Sequence, residues 1–183
     1  MSFVRWDEPA PASRAEPAGG MSGAEVGLQQ VMLAPGERFF GSHGVEVSCL
    51  LGSAVGLIAW CPRLALSAVV VCTHPPRTHG IFIADAMSGL HADDAVNWLT
   101  ERFRQEGCTL DELDLTLVGG AIGPHAIADL GGACTAWLRR WARVQGLWFE
   151  RQHVGGVLRR RVRFHADTGD LAVCCVAHAT FGV

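Results

Sequence analysis

Apolar and polar positions alternate along this chain with two different periods. "LQQVML" (28–33) reads as a strand, and "APGE" (34–37) after it as a turn, because proline sets φ and glycine supplies conformational freedom. "VEVSCLL" (45–51), "VGLIAW" (55–60) and "LSAVVVCT" (66–73) follow as strands, and then "IFIAD" (81–85). Runs this continuously apolar predict sheet surfaces covered on both sides. From Leu50 to Cys72 the only charge is Arg63, a length sufficient for a bilayer span. Pro62 and Arg63 fall in its middle, however, and its halves are rich in β-branched residues. Two buried strands joined at "CPR" (61–63) are therefore expected, with no membrane insertion.

The period then changes. In "ADDAVNWLTERFRQEG" (92–107), Ala95, Trp98, Leu99, Arg102 and Phe103 step at three and four, which predicts a helix with Asp93 as its cap and Gly107 as its stop. "LDLTLVGGA" (113–121) is another strand, running into paired glycines. A second helix is predicted from about His125 to Gln145, with Ile127, Leu130, Cys134, Trp137, Trp141 and Val144 on one stripe. Gly131 and Gly132 interrupt it at about 1 kcal/mol each relative to alanine, so a kink is expected there. "LWFERQ" (147–152), "RRVRFHA" (160–166), a "DTGD" turn (167–170) and "LAVCCVAHA" (171–179) close the chain as strands. The sum is a mixed α/β domain from about residue 26. Residues 1–25, rich in Pro, Ala, Gly and acidic side chains, read as a disordered lead rather than a secretory signal.

Composition narrows the chemistry. A chain of 183 residues, 49% of them hydrophobic, suits one domain with a sizeable core. Its net charge of −3 and lack of a basic block argue against nucleic acid as a partner. All 15 cationic side chains are arginine and tyrosine is absent. That excludes a lysine Schiff base, a P-loop lysine and a tyrosine general acid. The 7 cysteines are odd in number and lack CxxC spacing, which argues against a disulfide framework or a four-thiolate zinc site. Reduced thiols acting as small buried hydrophobes fit best, Cys174 and Cys175 included. The 8 histidines show neither HxH nor HExxH spacing, so no metal and no cofactor is expected.

Four stretches together carry a resemblance. "VMLAPGERFF" (31–40), "SCLLGSAVGLIAW" (48–60), "LTLVGGA" (115–121) and "VGGVLRRRVRFHADTGDLAV" (154–173) occur in the order seen in the CheD family, the bacterial chemoreceptor glutamine deamidases. The chain resembles that family from about Val31 to Val173. The resemblance implies a single-domain layered α-β sandwich, with mixed, mostly antiparallel sheets and two main helices. It also implies a cysteine hydrolase, in which a thiolate attacks a receptor glutamine's side-chain amide, ammonia leaves, and water hydrolyses the thioester. Such chemistry needs a nucleophile, a base and a group that orients the base.

At the positions that the resemblance assigns to this machinery, the supporting Thr is Ser48, the nucleophilic Cys is Ala54 and the His is Val71. Loss of one member of a nucleophile–base unit can cost about 10⁶ in kcat, so a pseudoenzyme is expected. A single engineered change would explain Ala54 but not Val71, nor Arg159 where the closing motif has a third glycine. Cys49 should point away from Ser48. Cys72 with His74, sharing a face at i, i+2 on a strand end, is the one credible substitute dyad; a buried cysteine beside a loop histidine is the alternative. Gly119 and Gly120, with Gly155 and Gly156, are candidates for close approach of a substrate or partner, or for plain strand-end turns. Arg159, Arg161 and Arg163 should share one strand face, solvated or available to an acidic partner, with Arg161 the candidate contact. The resemblance implies a chemoreceptor cytoplasmic domain or a CheC-like phosphatase as partner. A cytoplasmic monomer is expected, with an active cysteine hydrolase or a scaffold outside chemotaxis as the other possibilities.

Overall fold

A computed structural model describes residues 28–77, 91–123 and 126–176. The strands are β1 (Gln29–Leu33), β2 (Arg38–Ser42), β3 (Val45–Leu51), β4 (Val55–Cys61), β5 (Leu66–Cys72), β6 (Asp114–Gly119), β7 (Arg151–Val154), β8 (Arg159–His165) and β9 (Leu171–Val176). Two helices join them, α1 (Ala92–Gln105) and α2 (Leu130–Val144). One sheet has the order β1-β3-β8-β9 and the other β2-β5-β4-β6-β7. Only β1–β3 and β6–β7 pair in parallel among the described strands; the rest are antiparallel. The parallel β6–β7 pair is joined through α2, a βαβ unit inside an otherwise antiparallel sheet.

Two apolar layers follow from this stacking. Val47, Leu51, Ile58, Val69, Val118 and Phe164 fill the space between the sheets. On the other face of the five-stranded sheet, Leu57, Val70, Leu115 and Leu117 pack against Leu99 and Phe103 of α1 and Leu138 of α2. β4 and β5 thus have both faces covered, as their unbroken apolar runs demanded. Phe103 is fully buried, worth about 1.5–3 kcal/mol relative to exposure. The layered α-β architecture agrees with the sequence expectation, as do the strands flanking "CPR".

The differences are local and have causes. β2 was not read from sequence; it forms by pairing with β5, and its Phe40 packs edge-on against Trp98 and Phe103. Arg102 belongs to the apolar stripe because its guanidinium sits 4.5 Å over the Phe40 ring. α1 is capped by the extended backbone of His91 rather than by Asp93, which lies in the first turn. α2 begins at Leu130, with Asp129 as N-cap accepting from the Gly132 N–H. Its buried face is Gly131, Cys134, Thr135, Leu138 and Ala142. Ile127, Leu130 and Val144 are exposed instead, which overturns half of the predicted stripe. β7 starts at Arg151, later than "LWFERQ" implied. "IFIAD", His79, His125, His178 and the N-terminal lead lie outside the described residues.

Candidate functional site

β3 ends at Leu51, Gly52 and Ser53 turn the chain, and β4 starts at Val55. This turn is stitched to the end of β6: the Gly120 N–H donates to the Ala54 carbonyl and the Ala121 N–H to the Gly52 carbonyl, both at 2.8 Å. Gly119 (φ 103°) and Gly120 (φ 64°) adopt left-handed backbone to allow it. A side chain on Gly119 would run into the Ala54 carbonyl oxygen. A Cβ on Gly131, in the first turn of α2, would come 2.6 Å from both Gly120 Cα and the Ser53 carbonyl oxygen. The close approach at the glycine pair is therefore made by the protein's own backbone, and Gly131 is a contact point rather than a kink.

Beneath the turn lies a cleft of ≈ 640 Å³, with Pro35, Leu50, Ala54, Thr73, Val157 and Arg159 on its walls. Arg159 carries the one charge among the described lining residues. Ala54 is 7% exposed at the cleft edge, and Val71 is 1% exposed in the layer between the sheets. Val71 is held by backbone bonds, its N–H donating to Glu37 O and its carbonyl accepting from the Gly36 N–H. The Ser48 hydroxyl donates to Val31 O at 3.5 Å. Neither Ser48 nor Val71 lines the cleft. Methyl and isopropyl groups thus stand where the resemblance implied sulfur and imidazole.

The thiols offer no replacement in the core. Burial pushes the Cys49 thiol up to about 12. Cys72 is fully buried on the helix side of the sheet, and its hydrogen bond to Cys134, then burial, hold it well above the ordinary thiol range. No hydrogen bond joins it to His74. His74 Nδ1 instead meets the Thr73 hydroxyl at 2.8 Å, and its ring lies 5.2 Å from that of His91. The structure therefore does not assemble the proposed Cys72–His74 dyad, since a buried, neutral thiol supplies no thiolate. Cys174 and Cys175, expected inside, are exposed because β9 is an edge strand. Among the described residues no group of three or more His, Cys, Asp or Glu is placed to hold a metal, and no helix is long and apolar enough to cross a membrane.

The arginines divide by strand parity. Arg159 and Arg161 are exposed on the outer side of β8. Arg163 on that side is engaged by the buried Glu46, through Nε at 3.1 Å and a terminal nitrogen at 2.7 Å. Arg160, which sequence reasoning passed over, binds the glycine turns: its guanidinium donates to Gly155 O at 2.6 Å and to Gly119 O at 3.4 Å. Its parity with Val162 and Phe164 was the available signal. Gly155 and Gly156 (φ 75° and 71°) complete the frame, with the Gly155 N–H donating to Gly119 O and the Ile122 N–H to Gly156 O.

A family profile described as "CheD chemotactic sensory transduction" matches residues 80–174, a little over half the chain. The chain belongs to the CheD family. The matched span contains β6 through most of β9, with both glycine pairs, and begins beyond Ala54 and Val71. The "Probable chemoreceptor glutamine deamidase CheD 3" of Dechloromonas aromatica (strain RCB) is 29% identical to this CheD protein, over 82% of the chain and 90% of that protein. A probable chemoreceptor glutamine deamidase CheD from Oleidesulfovibrio alaskensis is 25% identical, over 82% of the chain and 74% of its own length. Another from Jannaschia sp. is 28% identical over 69% of the chain and 70% of its own. The layered fold and the chemotaxis assignment both stand on this ground.

Proposed function

We propose that this CheD protein binds a chemoreceptor cytoplasmic segment in the cleft beside Ala54 without deamidating it. The observation that supports this reading is the pairing of an open cleft, walled by Leu50, Val157 and Arg159, with Ala54 and Val71 at the positions the family resemblance gives to nucleophile and base. An amide bound there meets no sulfur and no imidazole, so binding survives where turnover does not. The relatives' names supply the receptor as the partner class. The reading assigns the protein to the cytoplasm as a monomer, with a CheC-like phosphatase as a further partner.

The test combines ammonia release and binding on the same receptor fragment. The wild-type chain should bind the fragment and release no ammonia above the blank, and Ala54→Trp, which fills the cleft edge, should abolish binding. Ammonia release by the wild type would sink the reading. One observation favours a second one: Thr73 lines the cleft and its hydroxyl lies 2.8 Å from His74 Nδ1, a hydroxyl within proton-transfer reach of a base. Release that persists in Cys72→Ala and disappears in Thr73→Val would establish that hydrolase.

A further inference from the structure

A second hollow lies on the far side of the 120–123 segment. Gly120 and Ile122 border it, while Ala121 and Gly123 border the cleft, so alternate residues of one short segment wall two cavities. The second hollow measures ≈ 200 Å³. It opens at the carboxyl ends of the parallel β6–β7 pair, beside the N-terminal turns of the crossover helix α2. Ligands of α/β units gather at this place, because strand ends diverge there and helix N–H groups point outward. Four lining residues are glycines, Gly120, Gly132, Gly155 and Gly156, which leaves backbone accessible to a ligand.

Three side chains of α2 face the hollow along its axis: Asp129 at the N-cap, Thr135 and Arg139. Thr135 is 5% exposed and its hydroxyl has no hydrogen-bond partner among the described residues. A buried hydroxyl left unpaired is destabilising, and a bound polar group would satisfy it. Arg139 leans toward the helix N-terminus, as helical side chains do, and its Nε is anchored by Gln152 Oε1 at 2.8 Å. The Asp129 carboxylate, already capping Gly132, adds a negative charge at the opposite end. A bare anion would meet that carboxylate. We infer that this hollow binds a small molecule carrying both an ammonium and a carboxylate group, of the free amino acid class. The ligand carboxylate faces the Arg139 guanidinium and the Thr135 hydroxyl, and the ammonium faces Asp129.

Isothermal titration calorimetry of the full chain tests this with the free L-amino acids, their N-acetyl and methyl ester forms, and inorganic phosphate. At least one free amino acid should bind, while its N-acetyl and ester forms and phosphate should not. Arg139→Gln should weaken binding at least about tenfold, as loss of a charge-assisted contact does. Thr135→Val should weaken it by several fold. Asp129→Asn, which retains capping ability, should reduce affinity for the ammonium-bearing ligand. Urea midpoints of the variants confirm that each is folded. Absence of binding by all free amino acids, binding of phosphate or of the acetylated form with equal affinity, or an unchanged affinity in folded Arg139→Gln would each overturn the inference.

Discussion

The two hollows that share residues 120–123 as a wall are in opposite chemical states. The larger cleft carries Ala54 where the family resemblance calls for a nucleophile, and its described lining holds one charge, on Arg159. The smaller hollow keeps a guanidinium, a carboxylate and an unpaired hydroxyl within a glycine frame. The comparison teaches that one backbone frame serves two chemically different hollows, because that frame rests on the close contacts of Gly119, Gly120 and Gly131 rather than on the side chains lining either one.

The frame is the place to break both hollows at once. Gly119→Ala must place a Cβ against the Ala54 carbonyl oxygen at a φ of 103°. Strain at such a backbone angle costs about 1–3 kcal/mol and overpacking about as much again, so a loss of about 4 kcal/mol is expected in urea denaturation. Receptor-fragment binding and amino acid binding should both fall with it. Loss of one and not the other would show that the wall is not shared.

A histidine at position 71 tests the layer between the sheets. Val71→His puts a polar ring into the layer between the sheets, at a cost of about 2 kcal/mol. Burial disfavours the charged imidazole, so its folded pKa lies below the unfolded value of about 6.5. The unfolded chain then binds a proton that the folded one does not. Stability of the variant should therefore fall further as pH drops below about 6.5, while the wild type shows no such added loss. A variant as stable as wild type at pH 7 would mean that the layer between the sheets accommodates an imidazole without cost.

How much of this was legible beforehand depends on whether the signal is local. β4 and β5 were read from their uninterrupted apolar runs, whereas the roles given to Ala54 and Val71 came from the family resemblance and not from any local signal in the chain. β2 was not, because Phe39 and Phe40 gain their meaning only from β5 and α1. Gly131 and Gly132 looked like an interrupted helix because Gly131 gains its contact with Gly120 only in the fold, while Gly132 lies in the first turn, where its N–H donates to the Asp129 cap. Cys174 and Cys175 looked interior because nothing in "LAVCCVAHA" tells an edge strand from a central one. The smaller hollow was invisible for the same reason: it exists only once β6 and β7 lie side by side. Of the two readings of Cys72 and His74, the buried cysteine beside a loop histidine fits the environment, since spacing could place Cys72 near His74 but could not foresee Cys134.

The smallest expected effect lies away from both hollows and sets their baseline. Glu112 accepts from Arg63 at 2.6 Å and 3.2 Å and from the Thr109 N–H and hydroxyl at 2.8 Å and 3.0 Å. Arg63 first, then Thr109, hold its carboxyl at about 2, below the ordinary 4.5. A depressed folded pKa contributes stability that is present above pH 4.5 and lost as pH falls toward 2. Glu112→Gln should remove that pH dependence, with little change at neutral pH, because the pair is solvent-exposed and screened by salt. Urea midpoints of wild type and variant at several pH values across that window supply the check. Neither cleft nor hollow should respond to this variant, since Arg63 and Glu112 line neither. A change in ligand affinity would mean that the two sites report global stability rather than their own residues.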